Sequence, residues 1–121
     1  MLIQEGAGMV RKPHFELVVR DVKAGEDAVW VSVIGEVGLA EVQLLTEAIA
    51  ELTHGESGAG GVVLDLADVS YCGGDSAFAL AGMCSGMKAV GIRVTIADMS
   101  PVARLAFAGA GLDQQLPLHE R

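Results

Sequence analysis

The chain has 121 residues, half of them hydrophobic, with five aromatics (three Phe, one Trp, one Tyr), so one domain with an aliphatic core is expected. Sixteen acidic residues against eight basic ones give a net charge of −8, which argues against nucleic acid or an anionic membrane surface as partner. No apolar run approaches the ~20 residues that span a bilayer, and the basic pair of "MVRKP" follows the apolar residues, which does not suit a secretory signal.

In chain order, residues 1–13 read as a loose leading segment ending at Pro13. "HFELVVRDV" suits a first strand and "AGEDA" a turn. Residues 29–35, "VWVSVIG", are apolar on both faces except at Ser32, the pattern of a central covered strand. From Leu39 onward, Leu44, Leu45, Ala48, Ile49 and Leu52 recur at helical spacing, with Glu41, Gln43, Glu47 and Glu51 between them. "HGESGAGG" is a flexible connector, and "VVLDL" (62–66) a short buried strand.

A second helix is expected over 76–90, then a strand "IRVTIAD" with Arg93 and Thr95 on its outer face. Ser100-Pro101 is a strong helix start, a hydroxyl cap followed by a residue that needs no amide hydrogen. Val102, Leu105 and Ala106 form the expected buried stripe of that helix, which Gly109 and Gly111 end. "LDQQLPLHER" is an edge segment or tail. The order ββαβαβα, with a possible short last strand, predicts an α/β domain with a mostly parallel mixed sheet.

Few residues are placed to do chemistry. His14, His54 and His119 fall at neither metal-ligand nor triad spacing and are expected in solvent. "GGDSAF" is not a nucleophile elbow, "GAGG" precedes a strand instead of following one, and "GGDS" lacks a phosphate-binding lysine. Cys72 and Cys84 have no partners in a CxxC or Cys/His pattern and read as buried reduced thiols, which points to the cytoplasm. No catalytic group, metal or cofactor is expected.

One feature stands apart. Gly73-Gly74 at a strand-to-helix turn exposes amides at a helix N-terminus, which favours an anion there. Asp75 can fill that need itself as the N-cap. The helix behind it is unusually apolar, with Phe78, Leu80, Met83 and Met87 separated by Ala79, Gly82, Ser85 and Gly86. Those small residues permit close packing, on the sheet or on another protein.

The stretch from Val62 to Leu118 resembles the second half of a STAS domain, the module of bacterial anti-sigma factor antagonists. It has an apolar strand ending in LDL, a V-x-[FY] step, a loop and helix where the family carries D-S-S-G, a helix starting Ser-Pro, and a "GLDQQLP" ending. "VSVIGEVGLAEVQLLTEAI" is similar to the family's strand, G-E-L-D-L-A and first helix. The resemblance covers about residues 14–118 and leaves a tail at 119–121.

The resemblance implies a non-enzymatic partner-switching role. Such antagonists bind an ATP-dependent anti-sigma kinase and release its sigma factor, until the kinase phosphorylates the second serine of D-S-S-G. Ungapped alignment from Leu64-Asp65-Leu66 and from Gly91 puts Gly73 on the family Asp, Gly74 on the first serine, Asp75 on the phosphorylated serine and Ser76 on the glycine. A shift by one would put Ser76 at the switch but needs a deletion in the helix. In "GEVGLA", Gly38 replaces a family Asp. The implied partner-binding residues are Gly38, Leu39, Gly73, Gly74, Asp75, Ser76 and Ala79.

Asp75 then either mimics phosphate, or meets a partner changed to tolerate it, or marks a domain serving another machine. The last class includes an accessory subunit docking on the ATPase of a lipid-transport ABC system, or a small-molecule or nucleotide sensor. The expected oligomeric state is a monomer or weak dimer, because the net charge opposes self-association while a sheet edge could pair.

Overall fold

The computed structural model describes residues 8–21, 28–54 and 60–112, with side chains described for 13–20, 28–54 and 60–112. Eight elements follow in chain order: β1 (Gly8–Lys12), β2 (Phe15–Asp21), β3 (Val29–Val37), α1 (Leu39–Leu52), β4 (Gly61–Cys72), α2 (Gly74–Ala89), β5 (Arg93–Met99) and α3 (Pro101–Gly109). The strands form one five-stranded sheet in the order β1-β2-β3-β4-β5, antiparallel up to β3 and parallel from there on.

The expected α/β order appears with one strand added in front. The leading segment is thus not loose throughout, because residues 8–12 pair with β2. A two-residue turn at Pro13-His14 makes the hairpin, with proline where a preset φ helps and no ladder bond is needed. The C-terminal segment from residue 113, His119 included, lies outside the described residues.

Alternate residues of β2, β3, β4 and β5 enter one core. Phe15, Leu17 and Val19 of β2, Val31 and Val33 of β3, Val62, Leu64 and Leu66 of β4, and Val94 and Ile96 of β5 all face it. The three helices pack on that same face, adding Val42, Leu45 and Ile49 from α1, Leu80 and Met83 from α2, and Ala103 and Phe107 from α3. Ser32 points to the opposite face, where its hydroxyl is buried and accepts from the Arg20 guanidinium at 3.2 Å. Arg93 and Thr95 lie on that outer side of β5, as their alternation with Val94 and Ile96 implies.

Two expectations change. The strand predicted over 62–66 extends to Cys72, a register slip against β3 carrying it through Val69, which is buried. In α3, the expected inward stripe of Val102, Leu105 and Ala106 is displaced. Ala103 and Phe107 are buried, Ala106 is half-buried, and Val102 and Leu105 face solvent. The rotation is fixed at the first turn. The Ser100 amide donates to the Leu66 carbonyl at 2.9 Å, and the Ser100 hydroxyl accepts from the Ala103 amide at 3.1 Å. The helix start is thereby clamped to β4 with Ala103 beneath it.

Candidate functional site at the C-terminal edge of the parallel strands

β3 and β4 run parallel, with Val37 level with Cys72. The residues that follow each strand, Gly38-Leu39 and Gly73-Gly74, therefore emerge side by side at one edge of the sheet. Six of the seven residues singled out from the sequence meet there: Gly38, Leu39, Gly73, Gly74, Asp75 and Ser76. Ala79 lies a turn further along α2, half-buried against the core.

The N-terminus of α2 differs from expectation. Gly73, not Asp75, is the cap residue, in extended conformation and without a side-chain bond. The first helical bond runs from the Ala77 amide to the Gly73 carbonyl at 3.0 Å. Asp75 is the second residue of the helix, exposed, and its carboxylate accepts from the Ser76 amide at 2.8 Å. The capping role read from the sequence thus becomes a first-turn acid, favourable toward the helix dipole but weaker than a cap. A Cβ at Gly73 would lie 2.9 Å from an Asp75 carboxylate oxygen and 3.4 Å from the Tyr71 hydroxyl, so both groups crowd over the loop. Ser76 is 1 % exposed, which leaves Asp75 as the accessible group of the pair.

The Asp75 charge is felt within the loop. Burial pushes the Cys72 thiol above its ordinary pKa, and the nearby Asp75 carboxylate pushes it the same way. Cys84 is raised to about 11 by burial. Both cysteines are free and buried, as read from the sequence. Among the described residues no group of three or more His, Cys, Asp or Glu side chains is arranged to hold a metal. No helix among them is long and apolar enough to cross a membrane.

Around this loop the surface is apolar. Among the described residues six large hydrophobic side chains are exposed, and three of them, Leu39, Tyr71 and Phe78, belong to the segments that meet at this edge. Leu39 opens α1, Tyr71 ends β4, Phe78 lies in the first turns of α2, and Val102 and Leu105 lie in those of α3. The start of α3 is level with Leu66, six residues short of the end of β4, so Val102 and Leu105 stand apart from this edge, and Val90 lies at the far end of α2. Tyr71, Val102 and Leu105 escaped the sequence reading. The first ends what looked like a shorter strand, and the other two fit a buried stripe equally well.

The pattern of the STAS domain matches residues 20–121. The chain belongs to the STAS domain family. No curated protein matches it in sequence. Among solved structures, an anti-sigma factor antagonist from Mycobacterium paratuberculosis is 22% identical, with a TM-score of 0.67 over 93% of this chain and 92% of that one. The anti-sigma factor antagonist SpoIIAA in its unphosphorylated form is 17% identical, with a TM-score of 0.60 over 88% of this chain and 89% of that one. The Bacillus SpoIIAA in its phosphorylated form is likewise 17% identical, with a TM-score of 0.56 over 88% and 92%. At these identities the likeness establishes a shared STAS fold, and the loop chemistry must be argued from this chain.

Proposed function

We propose that this STAS domain is a regulatory binding module of the anti-sigma antagonist kind, acting in the cytoplasm on an ATP-dependent anti-sigma serine kinase. The observation that carries the reading is the concentration of exposed apolar side chains at one sheet edge, around an accessible acid at the start of α2. Apolar anchors ringed by polar groups are what protein interfaces require, and soluble domains rarely leave them exposed without a partner.

Asp75 stands at the position of the phosphorylated serine. Its single negative charge at the helix N-terminus imitates part of the −1.5 to −2 that a phosphate brings, so this chain resembles the modified state and is not itself a substrate there. Binding of purified wild type, Asp75→Ser and Asp75→Ala to a purified anti-sigma kinase, with and without ATP, tests this. Both substitutions should strengthen binding, and Asp75→Ser should regain ATP-dependent phosphorylation, detectable by mass. Equal binding by all three proteins sinks the phosphate-mimic role, and no binding by any of them sinks the choice of partner.

A further inference from the structure

Beside the loop lies a concavity of about 280 Å³, walled by Pro13, His14, Phe15, Glu36, Glu41 and Tyr71. Two close approaches build it. The β1–β2 turn is seated on the end of β3, where the Glu36 amide donates to the His14 carbonyl at 2.7 Å. Gly35, with φ of 104°, makes room, since a Cβ there would collide with that carbonyl. On the other wall, the Glu41 carboxylate folds back to accept from the Gly38 amide at 3.0 Å. A Cβ at Gly38 would lie 2.9 Å from that oxygen. Glu36 and Tyr71 are level in the β3–β4 register and so stand side by side.

The lining selects its occupant. Two carboxylates repel phosphates, and the volume falls below the ~300–1,000 Å³ usual for small-molecule sites, which disfavours a nucleotide. It suits one cationic side chain with an aromatic wall to lie against. We infer that the pocket receives an arginine side chain from the protein partner, its guanidinium on the exposed Glu36 carboxylate and against the Tyr71 ring. Arginine fits better than lysine because its planar fork bonds a carboxylate in two places and stacks on an aromatic face. Glu41 adds negative charge without giving up its bond to Gly38. The inference rests on the protein-binding reading above, and adds the chemistry by which the partner is recognised.

The test begins with the protein alone. Heteronuclear NMR follows titration with N-acetyl-arginine methylamide, its lysine counterpart and the neutral isostere N-acetyl-citrulline methylamide. The arginine compound should give saturable shifts at the amides of His14, Glu36, Gly38, Glu41 and Tyr71, with lysine weaker and citrulline silent. Glu36→Gln should weaken the arginine compound roughly tenfold, the worth of one charge-assisted hydrogen bond. Shifts scattered over surface carboxylates, equal for arginine and lysine, or unchanged in Glu36→Gln, overturn the assignment. Binding to the kinase separates the two claims. A kinase that holds wild type and Glu36→Gln equally overturns the arginine site and leaves the protein-binding reading standing. A chain that takes the arginine compound here yet captures no anti-sigma kinase overturns the partner class and keeps the pocket.

Discussion

Asp75 and the two thiols show how one loop residue acts on its surroundings. The carboxylate bonds to the amide of Ser76, the next residue, and its charge adds to burial in holding the Cys72 thiol protonated. Cys84 lies deeper in α2 and responds to burial alone, at about 11 against an ordinary 9.0. Below pH 9 both folded and unfolded chains keep that proton, and it contributes no pH dependence. Between pH 9 and 11 the unfolded chain loses it while the folded one retains it, so stability falls as pH rises, by up to about 1.4 kcal/mol per pH unit. Other groups titrate in the same window. The comparison is therefore between wild type and Cys84→Ala, by urea denaturation at pH 8 and pH 10.5. The wild type should lose more stability over that interval, and equal losses would contradict a buried, protonated Cys84.

α3 is the element where packing overrides pattern. Phe107 is fully buried, whereas Leu105, two residues away, is 73 % exposed. Phe107→Ala should therefore cost about 3–5 kcal/mol, while Leu105→Ala should stay within about 0.5 kcal/mol. Chemical denaturation of the two variants checks the rotation of the helix, and the reverse order of effects would refute it. Val102, Leu105 and Ala106 satisfy helical spacing as well as Ala103 and Phe107 do. The nine-residue helix is apolar on both sides, so periodicity could not choose between them, and only the clamp at Ser100 does. In β5, by contrast, polar Arg93 and Thr95 alternate with Val94 and Ile96, and the faces were legible. β1 was not, because its five residues, "GMVRK", mix two basic side chains with apolar ones and run into Pro13, which reads equally well as a loose segment. The loop at Gly73–Ser76 could be found from its glycines and acid. Its cap geometry could not, since "GGDS" offers the cap position to glycine or to Asp75 alike. The Glu41 wall of the pocket left only a faint trace, an acid three residues after Gly38, easily passed over because a glycine cap has no side chain to return the bond.

At the scale of the whole molecule, charge and shape act in the same direction. The chain carries a net charge of −8, and Glu36, Glu41 and Asp75 lie at the edge that also bears the exposed Leu39, Tyr71 and Phe78. In the proposed complex the long-range field draws basic surfaces, while the exposed apolar residues supply the short-range contact that holds the partner once it has arrived. These two roles divide between the rates. Encounter with a basic partner should slow markedly as salt rises from about 0.05 to 0.5 M, since steering lifts association well above the ~10⁵–10⁶ M⁻¹s⁻¹ of neutral pairs and is screened over about a Debye length. Dissociation, governed by the desolvated apolar contacts, should change much less. Stopped-flow binding of the wild type and of Glu36→Gln to the proposed anti-sigma kinase measures both rates across that range. The variant should show a shallower salt dependence of association. An association rate indifferent to salt in the wild type would mean that the acidic edge does not steer the partner, and that the negative charge serves solubility alone.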